Sequence, residues 1–104
     1  VTEAVFQKTV IAAARALGWR VAHFRPAQNQ KGKWMTPVQA DGAGFPDLVL
    51  CRDRVIFAEL KAPGRQLSPH QVEWAEAIHK AGGEFYCWKP KDWGEIEAVL
   101  RRAA

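Results

Sequence analysis

Three charged side chains stand in a stretch that otherwise reads as buried sheet. In GFPDLVLCRDRVIFAELKAPG, residues 44–64, Asp47, Glu59 and Lys61 sit among Val, Leu, Ile and Phe. Glu59 and Lys61 are two residues apart, so a strand projects both from one face while Leu60 points the other way. Asp47 opens the neighbouring strand, and hairpin geometry brings its carboxylate beside that of Glu59. Two adjacent carboxylates at the edge of a hydrophobic sheet repel each other, and burial disfavours their charged forms, so without a counter-ion at least one holds a proton. A divalent cation removes that conflict, and oxygen-only ligands favour Mg²⁺ or Mn²⁺ over zinc. An ammonium beside such an ion can orient an attacking water or stabilise a pentacovalent phosphate. Hydrolysis of a phosphodiester uses all three groups. The competing account is structural, with Glu59 and Lys61 as an ion pair and Asp47 capping a turn after Pro46. The Gly-Phe-Pro-Asp lead and the Glu-x-Lys of the next strand together favour the catalytic account.

The elements that would hold these groups are legible on either side. Thr2 caps a helix expected from Glu3 to about Leu17, with Gly18 as its stop and Glu3, Phe6, Gln7, Val10, Ala14 and Leu17 on one stripe. Trp19 to Arg25 alternates with period two and predicts a strand ended by Pro26. Pro26 to Gly44 has no sustained periodicity and reads as a loop, functional or mobile; Lys31, Lys33 and Trp34 on it could contact nucleic acid or simply be solvated. Asp47–Cys51 and Val55–Lys61 form an antiparallel hairpin of central strands covered on both sides. Ser68, Pro69 and Gln71 start a helix that runs to about Ala81, buries Val72, Ala75 and Ile78, and stops at Gly82 and Gly83. Glu84–Trp88 is the last strand, and a final helix spans Trp93–Arg102 with Asp92 as its cap. The order αβββαβα predicts an α/β fold with a central sheet flanked by helices.

The 104 residues suit one compact domain, and a hydrophobic share of 48% with 25% charged residues excludes disordered and collagen-like classes. Apolar runs fall far short of a membrane span and no secretory segment opens the chain, so a cytoplasmic protein is expected. Cys51 and Cys87 lie in separate apolar runs, read as buried free thiols, and match no zinc spacing. The formal charge of +4 suits a polyanionic partner.

PDLVL followed on the next strand by ELK resembles the PD-(D/E)XK nuclease motif, and the wider chain resembles the VRR-NUC family of phage and repair nucleases. TEAVFQ, GFPDLVL, FAELKAPGRQLSPHQVEWAEAI and FYCWKPKDW carry the resemblance from Glu3 to Trp93. It implies a restriction-endonuclease-like fold with a mixed β-sheet. It also implies a Mg²⁺- or Mn²⁺-dependent DNA endonuclease that leaves 5′-phosphate and 3′-hydroxyl ends. By the same resemblance Asp47, Glu59 and the backbone carbonyl of Leu60 are metal ligands, with Glu3 completing the set. Lys61 is the catalytic lysine, and Gln71 supports the site. Small stand-alone members resemble four-way-junction resolvases, which implies branched DNA as substrate, a homodimer, no small-molecule substrate, and a bacterial or phage-infected cytoplasm.

The single-residue assignments carry alternatives. For Glu3 the alternative, compatible with the ligand role, is an acid favoured by the helix dipole; for Gln71 it is the capping-box partner of Ser68 and no more; Gln7, one turn on from Glu3, is a candidate neighbour of the site. His23, His70 and His79 form no constellation, although His23 should lie near the Asp47 strand. Among the basic residues at element ends, Arg52, Arg54, Lys80, Lys91, Arg101 and Arg102 read as solvated surface. Arg65 and Lys89 are the preferred phosphate contacts, joining Lys31 and Lys33. Trp74, Trp88 and Trp93 are candidates for a dimer surface, with core packing the default. A non-catalytic nucleic-acid-binding module of the same fold is the rival function, and a purely structural ion-pair cluster the third.

Overall fold

Helix α1 (Glu3–Ala16) starts where Thr2 is extended and its Oγ1 accepts the Val5 N–H at 3.1 Å, satisfying a donor that every helix start leaves open. Gly18, at φ +90°, turns the chain off its end. These elements are described from a computed structural model that covers residues 2–24, 27–28, 30–35 and 38–104, with Ala27 and Met35 as backbone only. The expected end of the first strand at Arg25 and Pro26 lies outside the described residues. Strand β1 (Arg20–His23) is followed by two short strands, β2 (Ala27–Gln28) and β3 (Trp34–Met35). Then come β4 (Leu48–Cys51), β5 (Val55–Leu60), α2 (Pro69–Lys80), β6 (Glu84–Trp88), a 3-10 turn (Pro90–Asp92) and α3 (Trp93–Arg101).

The main sheet has the order β1-β4-β5-β6, antiparallel except for the parallel pair β5–β6, which α2 connects. Alternation then sorts the side chains. Leu48, Leu50, Ile56, Ala58 and Leu60 are fully buried on one face, in a core with Phe6, Val10 and Ala14 of α1 and Ile96, Val99 and Leu100 of α3. On the opposite face Phe57 and Phe45 meet edge to face at 6.2 Å, and Phe45 meets Trp74 of α2 at 5.0 Å.

That second face is thinly covered, which corrects three expectations. The closing pair of the hairpin, Cys51 and Val55, is exposed, so Cys51 is a free thiol at the surface rather than a buried one, while Cys87 is free and half-buried. Val72 is 37% exposed and only Ile78 of α2 is buried. The two central strands are therefore covered fully on one side and partly on the other. The 26–44 segment also departs from a plain loop: β2 and β3 pair antiparallel there, Ala27 with Met35 and Gln28 with Trp34. Two-residue strands are too short to give a period. Asp92, expected to cap α3, instead accepts the Lys89 N–H at 2.9 Å and closes the 3-10 turn.

Arg52 and Arg54, expected as solvated surface, are structural. Their guanidinium carbons lie 4.4 and 5.0 Å from the centroid of the buried Trp19 ring. Arg52 donates to the carbonyls of Leu17, Leu100 and Arg102, and Arg54 to those of Val99 and Arg102 and to the Glu84 carboxylate at 2.7 Å. The cations thus sit on the acceptors that α1 and α3 leave open at their C-terminal ends, where the helix dipole also favours positive charge. Each charge-assisted bond of this type contributes about 1.5–3 kcal/mol. Arg101 pairs with Glu97 and Arg102 with Glu84, so these cations too are spent inside the molecule. Trp88 is 1% exposed and has no surface to offer a second copy; its removal from the dimer candidates follows from its place against the α3 side of the sheet. Trp93 is partly buried against the same core.

Candidate functional site

The register Leu48↔Ala58 fixes what happens one step further along the hairpin: Asp47 and Glu59 emerge side by side on the α2 face. Each backbone is held. The Asp47 carbonyl accepts the Phe24 N–H at 2.9 Å, its Oδ2 accepts the Leu60 N–H at 2.9 Å, and the Lys61 N–H extends the β5–β6 ladder to the Trp88 carbonyl at 2.9 Å. Glu59 is 3% exposed.

Gln71 holds one side of that carboxyl group. Its Nε2 donates to Glu59 Oε1 at 3.1 Å, while its own Oε1 accepts the Ser68 N–H at 2.8 Å in the capping box. The two roles considered for Gln71 are therefore one arrangement: the cap fixes which way the amide points, and the amide then points its NH₂ at Glu59. Glu59 Oε2 is buried and, Asp47 aside, has no hydrogen-bond partner among the described residues. Burial, a hydrogen bond with Asp47, and the Asp47 charge push the Glu59 carboxyl up to about 9, with the Glu3 charge adding to the shift and Lys61 opposing it. Cys87 is the register partner of Glu59 on β6, and burial followed by the Glu59 charge pushes its thiol upward.

The acid pair and Gln71 line a cleft of about 400 Å³ whose other wall is built from Val38, Ala40, Gly42 and Gly44. Sequence reasoning left this wall as loop, because no periodicity marks a segment shaped by contact with a helix end. Gly44 is packed against the start of α2. At φ +78°, a Cβ there would lie 2.4 Å from the His70 carbonyl carbon and 2.6 Å from Gln71 N. Gly44→Ala is expected to cost roughly 2–4 kcal/mol through strain and the displaced first turn of α2, read as a fall in urea midpoint; an unchanged midpoint would contradict this packing.

The other expected residues distribute unevenly. Lys61 is half-buried next to the pair, and its charge reaches Glu59. Glu3 is exposed at the start of α1; it influences Glu59 electrostatically, yet among the described residues no group of three or more His, Cys, Asp or Glu side chains forms a metal cluster. Arg65 is exposed in the turn after β5, and Lys89 follows β6. Lys31 and Lys33 are exposed between β2 and β3, beside Trp34, which is 65% exposed.

Residues 7–91 match the family model described as the VRR-NUC domain. The chain belongs to this family. No curated protein and no solved structure gives a significant match. Membership of the VRR-NUC family makes this a nuclease-type domain with DNA as its substrate class, and the mixed sheet flanked by helices is the restriction-endonuclease-like fold expected of it. Among the described residues no helix is long and apolar enough to cross a membrane. The donor set of this VRR-NUC site suits a hard cation: an unpartnered buried Glu59 oxygen beside Asp47 supplies oxygen ligands only, and Mg²⁺ commonly takes one or two carboxylates and keeps several waters.

Proposed function

We propose that the protein is a Mg²⁺- or Mn²⁺-dependent DNA endonuclease whose site is formed by Asp47, Glu59, Lys61 and Gln71 within the single domain of residues 1–104. The observation that carries this reading is Glu59, buried beside Asp47, with one carboxyl oxygen held by Gln71 and the other given no partner but that second acid. A fold does not retain such a carboxyl beside a second one without a use for the pair.

Asp47, Glu59 and the Leu60 carbonyl would hold the cation, with Glu3 of α1 completing the set. The bound ion supplies Lewis-acid activation and neutralises charge at the scissile phosphate. Gln71 keeps Glu59 oriented through the capping box. Lys61 places its ammonium where charge develops on the phosphate, and the reaction leaves 5′-phosphate and 3′-hydroxyl ends. Arg65 and Lys89, on the connections that leave β5 and β6, are suited to flanking phosphates. Lys31 and Lys33 would carry the hairpin onto DNA, where the exposed Trp34 ring offers a stacking surface for a base. Among the described residues no element presents a recognition helix, which favours DNA structure over sequence. A four-way junction cut by a homodimer, two sites for two strands, is the arrangement that fits.

The test is incubation of the protein with labelled junction, flap and duplex DNA in Mg²⁺, Mn²⁺ or EDTA. Cleavage is expected with either metal, strongest on the junction, and none in EDTA. Failure to cut any substrate, or cutting that EDTA leaves untouched, would sink the reading.

A further inference from the structure

Arg52 and Arg54 are taken up by backbone carbonyls at the helix ends and Arg102 pairs with Glu84. Lys8, Arg15 and Arg20 are exposed and, among the described residues, take part in no side-chain hydrogen bond or ion pair. Three long cations left unpaired are ordinary on a surface; their placement is not.

Two clefts, of about 600 and 150 Å³, share Ile11 and His23 and so run together between α1 and β1. Arg15 and Arg20 line the larger and Lys8 the smaller, and no acidic residue lines either. Lys8, Ile11 and Arg15 follow i, i+3, i+7 spacing, which places them along one side of α1. β1 is an edge strand of the sheet, so no further strand closes the groove from outside. One end of the groove approaches the site along the backbone: His23 is the register partner of Leu48, and the N–H of the next residue, Phe24, donates to the Asp47 carbonyl, while the Asp47 side chain emerges on the other face of the sheet. The other end, at Arg20, is opposite Cys51.

We propose that this α1–β1 groove is a track for the nucleic-acid backbone, with Lys8, Arg15 and Arg20 meeting spaced phosphates on one side of the cut. The proposal rests on the nuclease reading and extends it by naming where the substrate runs beyond the cleft. From Lys8 to Arg15 the helix rises about 10 Å, which matches roughly three nucleotide steps at 3.4 Å each. An apolar floor at Ile11 with cations along the rim suits a sugar-phosphate strand and gives a protein partner little apolar area. The contacts are to phosphate, so they add affinity without sequence preference.

The experiment compares two charge-matched double variants, Arg15→Gln/Arg20→Gln and Lys80→Gln/Lys91→Gln, with the unaltered protein. DNA binding is followed by fluorescence anisotropy across a salt series with Ca²⁺ to prevent cutting, and Mn²⁺ uptake by calorimetry. The groove variant is expected to bind roughly tenfold more weakly at fixed salt and to lose about two from the slope of log K against log salt, with Mn²⁺ uptake unchanged and the other double variant unaffected. Equal losses in both variants would mean net charge alone matters and would overturn the track. So would an unaltered salt slope in the groove variant while the protein still cleaves, a result that leaves the nuclease reading standing. A groove variant that changes oligomeric state but not DNA affinity would assign the groove to a second copy instead. If the unaltered protein neither binds nor cuts DNA, the nuclease reading falls and the track with it.

Discussion

Lys61→Ala is expected to lower the single-turnover rate of DNA cleavage by at least roughly 10²- to 10³-fold, the range for removing one preorganised charge from a transition state, while DNA affinity changes little. Two features of the structure set this expectation. Lys61 leaves the sheet on the same side as Glu59, and its backbone is fixed by the bond to Trp88, so the ammonium is delivered to the acid pair by a rigid strand. Its charge also pulls the Glu59 carboxyl back toward ionisation. Its loss should therefore move the acid limb of the pH–rate profile upward as well as lowering the plateau. Lys61→Arg should not restore the rate, because a planar guanidinium cannot occupy the position of a compact ammonium. A rate within threefold of the unaltered enzyme would remove Lys61 from the chemistry.

Glu59→Gln is expected to separate stability from function. The Glu59 carboxyl ionises at about 9 in the folded protein against an ordinary 4.5. Below 4.5 both folded and unfolded chains carry the proton and the full stability is present. Between 4.5 and 9 only the folded chain keeps it, so the metal-free protein loses stability as pH rises, by up to about 1.4 kcal/mol per pH unit. The glutamine variant should lack this descent and be the more stable protein at the alkaline end. Mn²⁺ should raise the alkaline melting temperature of the unaltered protein and leave the variant where it was. Melting curves at several pH values, with and without Mn²⁺, read both effects. Parallel pH dependence in the two proteins would show that Glu59 does not titrate as its burial requires.

The residues proposed for this site stand out in the sequence because charge inside a β-rich run is conspicuous, and period two tells which neighbours share a face. Ser68, Pro69 and Gln71 announced their helix for a similarly local reason, since a capping box is written in adjacent residues. What stayed hidden depended on register and on distance along the chain. Nothing near Gln71 says that its amide reaches Glu59, and nothing near Cys87 says that β6 runs parallel and sets it beside the acid pair. Arg52 and Arg54 looked like surface because the carbonyls they bind lie up to 50 positions away. Gly44 carried a cue to a turn, but the helix end that excludes any side chain there comes from α2.

The hairpin of β4 and β5 has opposite characters at its two extremities. At Arg52–Arg54 guanidinium groups lash the tails of two helices over an indole; at Asp47–Glu59 a carboxyl oxygen is stranded without company. Rigidity and frustration are thus kept at opposite poles of one ribbon. On heating, the molecule would slacken from the acidic pole inward, and the arginine lashing would be the last part to let go.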